Sequence, residues 1–123
     1  MQRLWIALGA LAGLTAVAMA ALAAHGLEWL EPAALQMVRN TLEMHGWHAL
    51  ALLACGLWAP RGWRRLVDWA GAAFVVGLLL FCGSVYALAL GGVHVAMVAP
   101  IGGTLLMVGW ALLGLSAVVA RRD

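Results

Sequence analysis

The chain has 123 residues, of which 66% are hydrophobic and only 10% charged, against roughly 45–50% apolar residues in a soluble domain. That composition excludes a water-soluble globule. All seven basic residues are Arg, set against five acidic ones, and a net charge of +2 is too small to point to a nucleic-acid partner. A bilayer core about 30 Å thick takes roughly 20 apolar residues per helix, so four spans would use about 80 residues. The expectation is one small integral-membrane domain with short connections and no room for a soluble catalytic domain.

Residues 4–24 form an apolar run without a charge, closed by His25, Gly26 and the acidic stretch 28–31. The run is long enough to cross a bilayer. It also carries signal-peptide features, Arg3 in front and Ala-rich candidate cleavage sites around residues 18–20 and 21–23. Its length exceeds a usual signal core, so a retained first span is expected. Gly9 and Gly13, then Ala16, Ala20 and Ala24, recur every three or four residues, a small-residue stripe that lets another helix approach closely.

Pro32 suits a first helical position. After it, residues 33–44 show helical periodicity: Leu35, Val38 and Leu42 fall on one side, Gln36, Arg39, Asn40 and Glu43 on the other. This amphipathic segment either lies in the interface or runs into the next span. The apolar run 47–59 before Pro60 is too short to cross alone. Counting about 20 residues back from Pro60 reaches Thr41 and gives a second span over 41–60. Glu43, His45 and His48 are thereby drawn to the outer membrane boundary or below it.

Arg61, Arg64 and Arg65 make a basic turn, with Asp68 beside them at the start of a third span, 67–90. Gly91, Gly92 and His94 turn the chain into a fourth, 95–120. With both termini on one side, that side holds Arg3, Arg61, Arg64, Arg65, Arg121 and Arg122, and the other holds Arg39 alone. The positive-inside rule then puts both termini in the cytoplasm. Trp5, Trp29, Trp58, Trp63 and Trp69 fall near span boundaries, as interface aromatics do. The fold class read from this pattern is all-α, a four-helix transmembrane bundle with an amphipathic segment leading into the second span.

On this topology the four histidines, His25, His45, His48 and His94, all lie toward the outer face. Ionisable residues within a membrane are functional candidates by default. His45 and His48 are three apart and share a helix face. Ser84 and Tyr86 in the outer third of span three could join them, as could backbone carbonyls exposed by Pro100. His45, His48 and His94, with outer-side Met19, Met37, Met44 and Met97, are weak candidates for a soft-metal site. Cys55 and Cys82 sit at depths differing by roughly 10 Å, which does not suit a disulfide. Gly83, Gly102, Gly103 and Gly109 suit close helix contact rather than a phosphate loop.

Four ordered motifs carry a resemblance over nearly the whole chain. They are Ala24-His25-Gly26-Leu27, Leu42-Glu43 through His48-Ala49-Leu50-Ala51-Leu52-Leu53, Phe81-Cys82-Gly83-Ser84-Val85-Tyr86, and Pro100-Ile101-Gly102-Gly103 before Gly109-Trp110. They resemble the YgdD-like family of small membrane proteins, domain of unknown function 423, related to a small mitochondrial transmembrane protein of animals. The resemblance implies a four-helix inner-membrane protein with no established activity. His25, Glu43, His48, Gly83, Ser84, Tyr86, Pro100, Gly102 and Gly103 fall on the family pattern, whereas His45 and His94 do not. Where this chain has Cys82 and Ala99, the family usually has Ser and Thr.

The expected shared polar site is therefore His25, Glu43, His48, Ser84 and Tyr86, with Gly9, Gly13, Gly83, Pro100, Gly102 and Gly103 serving helix packing. The leading functional expectation is a non-enzymatic scaffold or accessory subunit, or a binder of a lipid-like ligand in the outer half of the bundle. One alternative is an oligomeric transporter or channel for a proton, ion or small solute using Glu43 and His48; another is a metal-binding membrane protein. The partners expected are the bilayer and either a second copy of the chain or another membrane subunit.

Overall fold

A computed structural model describes residues 1–95 and 97–120. Arg121 and Arg122, assigned above to the inner face, lie outside the described residues, as does Ala96 of the expected fourth span. Four helices form: α1 (Gln2–His25), α2 (Pro32–Trp58), α3 (Arg64–Gly91) and α4 (Val98–Val118). Their ends follow local chemistry. Gly26 closes α1, its N–H returning 2.7 Å to the Leu22 carbonyl. Pro32 opens α2 at a position where its missing N–H loses no bond. Gly92 ends α3 at φ +67°, a left-handed conformation that costs other residues more. Pro100 lies in the first turn of α4, so it breaks no intrahelical bond and exposes no carbonyl there, contrary to the sequence expectation.

The amphipathic segment and the second span are one continuous helix. At 27 residues, α2 is about 40 Å long, longer than the roughly 30 Å hydrocarbon core. By length and composition α1, α3 and α4 can each cross a membrane; α2 does not join them. Its polar residues dilute its hydropathy, but Thr41, His45 and His48 are buried inside the bundle. The face around Val38 is not laid on a membrane surface either. Val38 is fully buried with Ala23 and Leu27, packed by Leu35, Leu42 and Tyr86.

Each helix packs on the next in chain order. In the α1–α2 pair Gly9 lies against Ala49 and Leu53, and Gly56 against Ile6, so the helices run antiparallel. Gly77 and Gly102 bring α3 and α4 equally close, and Gly109 seats the Phe74 ring. The central core is Leu52, Cys55, Val67, Ala70, Phe74, Leu78, Cys82 and Leu106. Both cysteines are free and buried. The described chain ends, residues 1 and 120, and the 59–63 connection share one end, called here the termini end. The other, distal, end carries the two remaining connections.

Two of the expected interface tryptophans turn inward. Trp5 is 3% exposed, and its indole N–H donates to Asp68 Oδ1 at 2.9 Å. Trp58 donates to Ser116 Oγ at 3.1 Å. Trp5 is buried and Trp58 half-buried, and each satisfies its one donor within the bundle. Trp29, Trp63 and Trp69 are exposed.

Candidate functional site

Three polar side chains from three helices meet where α1, α2 and α3 come together. His45 Nε2 on α2 lies 3.2 Å from Thr15 Oγ1 on α1, and its Nδ1 lies 3.1 Å from Tyr86 Oη on α3. The Thr15 hydroxyl also reaches the carbonyl oxygens of Leu11 at 3.1 Å and Ala12 at 3.0 Å. A hydroxyl has a single proton to give. With that proton on the α1 backbone, Thr15 accepts from His45 Nε2–H, and Tyr86 O–H donates to His45 Nδ1. The protons then point one way, from Tyr86 through His45 to Thr15 and the backbone.

His48, also buried, faces a different neighbour. The Trp110 indole, which can only donate, gives its N–H to His48 Nε2 at 3.1 Å. The His48 proton therefore sits on Nδ1, 2.6 Å from the Met44 carbonyl oxygen. Phe74 packs against both rings, its centroid 5.7 Å from His48 and 5.3 Å from Trp110, in tilted and edge-on geometries that aromatic pairs favour. A three-residue offset is about 60° around a helix. That is enough to send His45 toward α1 and α3 and His48 toward α3 and α4, with opposite tautomers.

Beside the His45 triad, α1 and α3 part to leave a cleft of about 460 Å³. Leu8, Leu11 and Ala12 of α1 and Val75, Leu78, Leu79, Cys82 and Gly83 of α3 wall it, with Leu52 of α2 behind them. Thr15, His45 and Tyr86 close its distal end. At the termini end the helices converge again through the Trp5–Asp68 hydrogen bond and the Trp5 ring on Gly71. Leu11 and Leu79 are 55% and 69% exposed, so the cleft opens sideways on the bundle surface. Gly83 keeps this wall low, and a Cβ there would meet nothing within 4 Å. A larger recess of about 540 Å³ lies at the termini end beside Arg61 and Arg64; it is walled by residues 60–64 and by Val119 and Ala120 rather than by facing helices.

The structure does not gather the expected polar set into one place. Tyr86 meets His45 rather than His48. Glu43 is exposed, because a two-residue offset from His45 is about 200° around the helix. Ser84 is displaced from Tyr86 by the same offset, and its hydroxyl donates to the Phe81 carbonyl of its own helix at 3.0 Å. His25 and His94 are exposed at opposite connections of the distal end. His45, His48 and His94 do not converge: the nitrogens of His45 and His48 are engaged by other partners. Among the described residues no three His, Cys, Asp or Glu side chains are grouped as metal ligands.

Of the expected packing residues, Gly9 and Gly102 sit at tight crossings, while Gly103 makes an ordinary 3.8 Å contact with Phe81. Gly13 and Gly83 have open space, and Pro100 is exposed. Gly56, Gly71 and Gly77 make crossings that the small-residue stripes did not single out. Thr15 is not among the expected site residues either. It lies about as far from the α1–α2 connection as His45 does, and that equal depth is the signal that pairs them in an antiparallel hairpin.

The family model described as a protein of unknown function, DUF423, matches residues 19–103. The chain belongs to the DUF423 family. A UPF0382 membrane protein of Haemophilus influenzae is 40% identical over 112 residues, 89% of this chain and 90% of the relative. One from Staphylococcus saprophyticus is 37% identical over 115 residues, 91% of this chain and 94% of the relative. The UPF0382 inner membrane protein YgdD of Escherichia coli K12 is 30% identical over 123 residues, 98% of this chain and 94% of the relative. No solved structure matches the chain. This DUF423 chain is thus a helical membrane protein of a family without a described activity. The matched stretch contains His45, His48 and Tyr86; Thr15 and Trp110 fall outside it.

Proposed function

We propose that this DUF423 protein is a non-enzymatic, multi-pass inner-membrane protein that binds a lipid-like amphiphile in the cleft between α1 and α3. The observation that carries the reading is the cleft's asymmetry. Apolar walls of about 460 Å³ end at one hydrogen-bonded polar triad, and the opening faces sideways, where lipid reaches it. The volume falls within the roughly 300–1,000 Å³ of small-molecule sites, which pair apolar walls with a few placed polar groups. The exposed residues Arg3, Arg61, Arg64 and Arg65 at the termini end, against Arg39 near the other, support cytoplasmic termini. The triad then lies in the outer half of the membrane.

Gly83→Leu tests the reading. Gly83 lines the cleft, a Cβ there meets nothing within 4 Å, and the change removes a helix-interior glycine, so the variant is expected to fold with the cleft mouth obstructed. Native mass spectrometry of protein extracted in mild detergent is expected to show a lipid-sized adduct on the wild type and its loss in Gly83→Leu. An adduct equally retained by the variant, or none on either protein, overturns the cleft reading and favours a scaffold role.

A further inference from the structure

We infer that the amphiphile is neutral and presents a hydroxyl donor to the triad: a long-chain alcohol, or a glyceride or prenyl lipid ending in a free hydroxyl. This rests on the cleft being the ligand site and goes further by fixing the chemistry of the head.

The argument is a proton inventory. Tyr86 O–H is committed to His45 Nδ1, His45 Nε2–H to Thr15 Oγ1, and Thr15 O–H to the Leu11 and Ala12 carbonyls. No donor is left over. What remains on the cleft side is acceptor capacity, the spare lone pairs of Tyr86 Oη and Thr15 Oγ1. Tyr86 is half-buried and Thr15 exposed, and both side chains line the cleft. Reversing the chain would free the Tyr86 proton outward, but it would take Thr15 off two carbonyls at 3.0 and 3.1 Å. A ketone or ether head would set its own lone pairs against those of the triad. A hydroxyl head completes the chain with one more bond in the same direction.

Charge narrows the class further. The lining holds no Arg, Lys, Asp or Glu, so neither a phosphate, an ionised carboxylate nor an amine cation finds a counter-ion in it. The long apolar wall requires a chain, and the single polar end requires one compact head.

The test uses the whole protein in phosphatidylcholine nanodiscs with a hexadecanol carrying a mid-chain diazirine. Cross-links are mapped by peptide mass spectrometry, and unlabelled hexadecanol is compared with methyl hexadecyl ether as competitor. The ether keeps chain and oxygen and replaces the donor proton with a methyl group. Expected are cross-links on the α1 and α3 cleft walls, with the alcohol competing about five- to tenfold better than the ether, the worth of one hydrogen bond. In Thr15→Val combined with Tyr86→Phe that ratio falls to about one. Equal competition on the wild type overturns the hydroxyl inference and leaves the cleft reading standing. Cross-links no denser on the cleft walls than at exposed Met107 of α4 overturn both. The comparison on the wild type needs no variant to fold.

Discussion

Trp110 donates its indole N–H to His48 Nε2 at 3.1 Å, tying the middle of α4 to α2. Because His48 Nδ1 is held by the Met44 carbonyl at 2.6 Å, the imidazole is used at both ends. Removing it leaves an indole N–H unpaired and a gap beside Phe74. His48→Ala is therefore expected to cost about 2–4 kcal/mol, combining a cavity with an unsatisfied donor. Trp110→Phe, which keeps most of the ring packing, should cost about 1–2 kcal/mol. Denaturant unfolding in detergent micelles measures both, and an undisturbed His48→Ala protein would remove His48 from the bundle's framework.

Glycines at crossings and glycines in open space make a matched contrast. A methyl group at Gly102 would come within 2.9 Å of Gly77 O and Phe81 Cα on α3, both backbone atoms that cannot swing aside. Gly102→Ala should destabilise the bundle by about 1–3 kcal/mol, the usual cost of overpacking. Gly83→Ala, with nothing within 4 Å, should be neutral or stabilising by up to about 1 kcal/mol. Thermal unfolding of the two variants in one detergent settles it, and equal shifts would mean that α3 and α4 do not cross at Gly102.

The helices were legible in the sequence because apolar length and the stops at Gly26, Pro60 and Gly92 are local properties. The positions of four elements, and the continuation of the amphipathic segment into one helix, need little beyond them. The site was less legible, because depth along a helix is easier to count than direction around it. Glu43, His45 and His48 share a depth, yet offsets of about 200° and 60° send them to lipid or solvent, to Tyr86, and to Trp110. Tyr86 stands out in the sequence; its partner His45, and the Thr15 that His45 reaches in turn, belong to other helices and depend on how α1 meets α2. The same limit applies to Trp5. Proximity to a span end suggests an interface anchor, whereas Gly71 opens a seat for its ring across the bundle.

The Trp5–Asp68 contact leads to a charge-independent expectation. The indole N–H needs an acceptor, which Asn supplies as well as Asp. The Arg64 side chain, 75% exposed and 4.0 Å from Asp68 Oδ2, adds little in a solvated setting. Asp68→Asn and Arg64→Gln should each shift stability by less than about 1 kcal/mol. Asp68→Leu, which strands the Trp5 donor, should cost about 1–3 kcal/mol. If instead Arg64→Gln matches Asp68→Leu in unfolding experiments, the ion pair rather than the indole bond closes the termini end of the cleft.

Orientation can be read directly with single cysteines. Trp29 is 69% exposed in the α1–α2 connection, and Pro60 is exposed in the α2–α3 connection. Neither substitution changes the charge on which the positive-inside argument depends. The native cysteines give little background, because Cys55 is 0% and Cys82 4% exposed. With a membrane-impermeant maleimide applied to intact spheroplasts, Trp29→Cys should label at once and Pro60→Cys only after permeabilisation. The reverse pattern would place the arginine-rich turn outside and move the His45 triad into the inner leaflet. It would leave the cleft's chemistry as it is and change which leaflet supplies its ligand.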